Sequence, residues 1–124
     1  YREDAELQLV ACATLVCMIF NNTNNRAKAG NAGAIEAVVA VMRTHREDAK
    51  LQRVACLTLA RINTDNADNR AKAGNAGAVE AVVVAMRTHS EDAELQQDAC
   101  KTLGDMATDN ADNRVKAGNV GAVE

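Results

Sequence analysis

An all-helical repeat solenoid is the fold class this sequence predicts, from three observations. The 124-residue chain repeats itself at a constant offset of 44 positions. Its apolar residues recur at helical spacing within each unit. It has no proline and only two aromatic residues, Tyr1 and Phe20, so Ala, Val and Leu must build a core of closely packed helices. Internal repetition is decisive because a unit that cannot bury its apolar face alone can do so against a stacked copy.

The repeat is plain in the letters. REDAELQLVACATL at Arg2 recurs as REDAKLQRVACLTL at Arg46 and SEDAELQQDACKTL at Ser90. NRAKAGNAGAIEAVVAVMRT at Asn25 recurs as NRAKAGNAGAVEAVVVAMRT at Asn69, and NRVKAGNVGAVE at Asn113 is a shorter third copy. The expected units are 1–44, 45–88 and 89–124, all in one domain, 1–124. The last is truncated by the stretch matching AVVVAMRT. Both ends read as cut from a longer array, because solenoids need polar caps.

Within one unit, a long helix is expected from about Glu47 to Ile62, with core positions Leu51, Ala55, Leu59 and Ile62. Spacings of four, four and three lie on one helical face. Capping boxes at Thr44-x-x-Glu47 and Thr88-x-x-Glu91 supply its start signal. The polar stretch Asn63 to Asp68 ends it. A short Ala-rich helix, Asn69 to Ala73, abuts Gly74 and is expected to be the weakest element. Gly77 permits a sharp turn. A second good helix follows from about Ala78 to Arg87, with Val79, Val82, Val83 and Met86 apolar. The first copy carries the same core stripe as Leu7, Ala11, Leu15 and Met18.

The glycine turn in NAGAVEAVVVAM, followed by a long helix carrying LQ..AC.TL, resembles the armadillo repeat over essentially the whole chain. The resemblance implies an all-α, right-handed armadillo-like alpha-alpha superhelix of about three 44-residue repeats, with the long third helices lining a concave binding surface. HEAT repeats have two helices per unit, and the extra short glycine-bounded segment favours armadillo. Peptide-binding armadillo proteins carry Trp and Asn four residues apart on the third helix. Here those positions read Ala13 and Cys17, Leu57 and Arg61, Lys101 and Asp105, which argues against peptide recognition of the nuclear-import type. The family's proline at the start of the second helix is replaced by Glu36, Glu80 and Glu124.

Composition excludes several functions. The net charge is −3 and no basic run exists, so nucleic acid is not an expected partner. No stretch reaches the roughly 18 apolar residues of a membrane span. There is no signal-peptide pattern. Cys12, Cys56 and Cys100 occupy one repeat position, no CxxC pair exists and no His sits at ligand spacing. They are expected to be buried, reduced and metal-free small hydrophobes, and unpaired cysteines favour an intracellular compartment, cytoplasmic or nuclear. His45 and His89 are expected to be exposed loop histidines. Asp65, Asp68, Asp109 and Asp112 read as turn and cap formers, since TDNADN lacks the glycine and bidentate Glu of a calcium loop. AGNAG lacks the following Lys-Ser/Thr of a phosphate loop. No catalytic residues and no cofactors are expected.

Function is expected where the repeats differ. The stripe about 200° from the core stripe changes from copy to copy. It reads Leu9, Ala13, Cys17 and Phe20 in the first helix, Arg53, Leu57 and Arg61 in the second, and Gln97, Lys101 and Asp105 in the third. Thr64 and Thr108 end the second and third stripes. A constant scaffold with a variable face predicts a scaffold that binds a protein or peptide partner. The alternative is a structural solenoid that forms homo-oligomers through uncapped ends. The first helix is apolar nearly all round, which favours a dimer through Leu9, Ala13, Cys17 and Phe20.

Overall fold

The computed structural model describes residues 2–19, 22–108 and 110–119. Phe20, Asp109 and Glu124, and the side chains of Cys17 and Met18, lie outside the described residues. Among the described residues there are eight helices: α1 (Arg2–Ile19), α2 (Thr23–Asn31), α3 (Ala34–Thr44), α4 (Ala49–Asn63), α5 (Ala67–Asn75), α6 (Ala78–Thr88), α7 (Ala93–Ala107) and α8 (Ala111–Asn119). No strand occurs among them. The helices stack in three ranks, as expected of an α-solenoid. Long helix α4 packs between α1 and α7, α5 between α2 and α8, and α3 beside α6.

Each tight turn between the short helix and the next is a left-handed glycine, Gly33 at φ 89° and Gly77 at φ 86°. That is the conformation glycine adopts without a Cβ penalty, and it makes the turn expected at Gly77. The core stripe of α4 is fully buried: Leu51, Ala55, Leu59 and Ile62 are each 0% exposed. Leu95, Ala99 and Met106 repeat this in α7.

Four expectations are corrected. The long helices do not start from Thr–Glu capping boxes. Asp48 and Asp92 are the caps, accepting from the amides of Leu51 at 3.0 Å and Leu95 at 2.9 Å. Thr44 and Thr88 end the preceding helices, their hydroxyls donating to the carbonyls of Ala40 and Val84. Asp at the N-cap accepts an orphan amide as well as Thr does, and the chain between Thr44 and Asp48 is needed for the reversal. The short helix is longer than Asn69 to Ala73. Asn66 caps it, accepting from the Asn69 amide at 2.9 Å, and Gly74 lies inside it.

Leu7 and Ala11, read as core, are exposed, Leu7 by 64%. Their counterparts Leu51 and Ala55 are covered by neighbouring helices, and no described helix lies over that face of α1. Cys100 is exposed while Cys12 and Cys56 are buried. Cys56 is shielded by the following long helix, whose Thr102 hydroxyl donates to the Cys56 carbonyl at 2.9 Å. No described helix follows α7 in that rank.

Candidate functional site

The stripe expected to bind partners comes together across α1, α4 and α7. Leu9 is half-buried and Ala13 exposed on α1; Arg53, Leu57 and Arg61 are half-buried on α4; Gln97 and Lys101 are exposed and Asp105 half-buried on α7. These helices lie side by side because their small backs, Cys12, Cys56, Ala60 and Ala99 among them, allow close approach. The side chain of Cys17 and all of Phe20, assigned to the same stripe, lie outside what the structure describes.

Charge joins α4 to α7. The Arg53 guanidinium meets the Glu94 carboxylate at 2.7 Å and the Asp98 carboxylate at 3.6 Å. Burial pushes the Asp105 carboxyl above the usual carboxylate range. Lys101, Arg61 and Arg70 pull it back without cancelling that rise. The surface therefore carries alternating charge, with arginines on α4 and acids on α7.

Sequence reasoning missed Glu94, Asp98 and Arg70 as members of this surface. A signal was available for the first two. Gln97 is the repeat-equivalent of Arg53, and Glu94 and Asp98 flank it within one helical turn on the facing helix. Arg70 had no such signal, because it comes from α5 and only the stacking brings it near.

A buried ladder of asparagines was also missed. Asn69 Nδ2 donates to the carbonyls of Arg26 and Ile62, both at 2.9 Å. Asn113 Nδ2 donates to those of Arg70 at 2.9 Å and Met106 at 2.8 Å. Each rung ties a short helix to its counterpart one repeat back and to the end of its own long helix. Their side chains lie against Gly30 and Gly74, where a Cβ would collide with them.

The histidines are also not free loop residues, which corrects the expectation for them. His45 Nε2 lies 3.3 Å from an Asp4 carboxylate oxygen, and His89 Nε2 lies 2.8 Å from the Arg46 carbonyl. Both are half-buried and bridge neighbouring units.

Burial pushes the Cys56 thiol up to about 12, with the Asp98 charge adding to the rise. Burial likewise raises the Cys12 thiol, against a smaller lowering by a hydrogen bond with Thr58. Both stay protonated at neutral pH and are poor nucleophiles or ligands there. Among the described residues no three His, Cys, Asp or Glu side chains gather as a metal site. No described helix is long and apolar enough to cross a membrane.

Against known proteins, residues 1–124 match the family described as protein zer-1 homolog-like, C-terminal domain. The match is to this helical-repeat, armadillo-like region and not to the armadillo family itself. No curated protein and no solved structure gives a significant match.

Proposed function

We propose that this chain, which belongs to the protein zer-1 homolog-like, C-terminal domain family, is a binding scaffold rather than an enzyme. Its ligand is a protein or peptide segment held on the concave third-helix face of a right-handed superhelix. One observation carries this reading. Three parallel long helices with constant buried backs present different residues at one equivalent stripe: Leu9 and Ala13, then Arg53, Leu57 and Arg61, then Gln97, Lys101 and Asp105. A rigid scaffold with a variable accessible face can gain a ligand without disturbing its core.

The charge pattern supports a mixed-charge partner whose acidic groups approach Arg61 and whose basic groups approach the α7 acids. Rim charges of this kind act mainly through association rate and salt dependence. The reading places the protein inside the cell, away from membrane and nucleic acid.

The test is a photo-crosslinking residue installed at Leu57 or Lys101, with exposed Glu91 as the control position. A partner captured from the stripe positions, whose association at low salt slows on Arg61→Ala, supports the reading. Equal capture from Glu91, or an unchanged association rate, refutes it.

A second reading is homo-oligomer formation. Leu7 and Val10 on the first helix and Val115 on the last are large apolar side chains exposed by about 60% or more. Light scattering that shows a monomer at all concentrations removes this alternative, including the dimer through Leu9 and Ala13.

A further inference from the structure

A cavity of about 150 Å³ lies where α3, α4 and α6 meet. Its apolar lining is Met42, Ala81 and Ala85, all buried, and half-buried Val84. The polar lining comes from three elements: Arg43 and Arg46 at the end of α3, Gln52 on α4 and Glu80 on α6. The cavity is formed by the junction of two described repeats in mid-chain. It is separate from the stripe of Arg53 and Lys101.

The turn that carries the two arginines is held by both neighbouring helices. Gln52, 2% exposed, donates from Nε2 to the carbonyls of Met42 at 3.0 Å and His45 at 2.9 Å. His89 Nε2 meets the Arg46 carbonyl at 2.8 Å. The Arg43 guanidinium rests against Gly77, where a Cβ would collide with it. The backbone beneath both cations is therefore fixed before any ligand arrives, which lowers the ordering cost of binding.

These charges are not used within the described fold. Arg53 is engaged by Glu94, and Arg70 and Arg114 by helix-end carbonyls. Neither Arg43 nor Arg46 has a side-chain ion pair or hydrogen bond among the described residues, and the same holds for Glu80. Gln52 has committed its Nε2, so what it can offer a ligand is Oε1, an acceptor. The position of Arg46 is Ser90 one unit on, so the repeat does not require the second cation.

We propose that this cavity binds the C-terminal residue of a partner polypeptide, its free carboxylate on Arg43 and Arg46 and its apolar side chain on Met42, Ala81, Val84 and Ala85. The residue's own backbone N–H has Glu80 or Gln52 as acceptor. Size, charge and lining all call for this group. A volume of about 150 Å³ is room for about five water molecules at liquid density, the scale of one small apolar side chain with its carboxylate. Two arginines against one glutamate leave a single positive charge, which one carboxylate balances. A phosphoryl dianion would bring surplus negative charge beside Glu80. An internal Asp or Glu side chain brings its charge on its own tip and no separate apolar group. Because the cavity is separate from the long-helix stripe, this site stands or falls independently of the function proposed above.

The probes are fluorescein-labelled Gly-Ser hexapeptides ending in Ala, Val, Leu or Met, each made as the free acid and as the C-terminal amide, added to the intact chain. Anisotropy is expected to saturate for at least one free acid. Amidation is expected to weaken that binding by about tenfold or more, since the charge-assisted contacts to both guanidinium groups are lost. Arg46→Ser installs the residue that the next unit carries. It and Arg43→Ala are each expected to weaken the free acid by about fivefold or more. Both arginines are exposed, so thermal melts are expected to show the variants folded. Binding is expected to fall as salt rises. In two-dimensional NMR titrations the backbone amides of Ala81, Val84 and Ala85 are expected to shift.

Absence of saturable binding by all four free acids overturns the proposal. So does equal binding of the amides, binding that Arg43→Ala and Arg46→Ser leave unchanged, or shifts confined to the α4 and α7 stripe. Amidated peptides with an internal Glu or phosphoserine that bind as tightly as the free acids assign the cavity to an acidic or phosphorylated segment and equally overturn it.

Discussion

Gly74→Ala sets two physical effects of opposite sign against each other. Gly74 lies inside helix α5, where Ala is favoured over Gly by about 1 kcal/mol on propensity alone. A Cβ at this position, however, would stand far inside van der Waals contact with the Asn113 side-chain oxygen. Asn113 could escape by rotating, but it is 2% exposed and holds the carbonyls of Arg70 and Met106 at 2.9 and 2.8 Å. Rotation gives up two hydrogen bonds at about 1 kcal/mol each and leaves buried carbonyls unpaired at a further ~1–3 kcal/mol. Collision therefore wins, and Gly74→Ala is expected to destabilise by about 2–4 kcal/mol net. In thermal melts that is roughly 10 °C for a chain of this size.

Urea titration at unchanged slope measures the loss directly. Gly104→Ala is the internal control: this glycine is also inside a helix, α7, but a Cβ there meets nothing within 4 Å. It is expected to stabilise by ~0.5–1 kcal/mol. In an Asn113→Ala background the Gly74→Ala penalty is expected to vanish, because the two sites are coupled through direct contact. If Gly74→Ala stabilises like Gly104→Ala, or if its effect is unchanged without Asn113, the close approach is not what fixes glycine here.

Site-resolved alkylation at neutral pH is expected to modify exposed Cys100 quickly and buried Cys12 and Cys56 slowly; equal rates contradict the packing of α1 on α4 and of α4 on α7. The folded Cys56 thiol titrates at about 12 against an ordinary 9.0, so the unfolded chain loses this proton first. Its contribution to stability is intact below pH 9 and is lost as pH rises from about 9 to about 12, and Cys56→Ala is expected to flatten that alkaline loss in urea titrations. Burial outweighs three cations at Asp105, so its charge opposes folding and Asp105→Asn is expected to be at least as stable as the parent at pH 7; a clear loss means that the cations dominate. Arg53→Ala removes two partly exposed ion pairs and is expected to cost less than about 1 kcal/mol, shrinking further in high salt.

Local signals that recur in every copy were legible in the sequence. Leu51, Ala55, Leu59 and Ile62 could be named as core from spacing, since a helix places residues three and four apart on one face wherever it packs. Gly77 could be named as a turn because the chain must reverse between two apolar segments and only glycine does so at positive φ cheaply. The helix starts were misread because Thr44 and Asp48 both satisfy a local capping pattern. Which one caps depends on where the preceding helix stops, and α3 runs through Thr44.

The sequence by itself determined the order of the helices, the period and the stripe that varies between repeats, because these follow from short-range geometry repeated three times. Only the tertiary structure decided what each repeated residue does, because a residue's role depends on the neighbour stacked against it. Leu7, Leu51 and Leu95 are one letter in one register, yet Leu7 stands in the open while the other two are sealed. Cys100 is exposed where Cys12 and Cys56 are buried, since no described helix lies over it. Asn69 opens the short Ala-rich segment and Asn113 the third copy, and both prove to be buried rungs that spacing did not reveal, because their partners lie 43 residues away along the chain. Gln52 and Gln96 match in sequence, and only the packing of α3 and α6 shows that each clamps the end of the preceding helix.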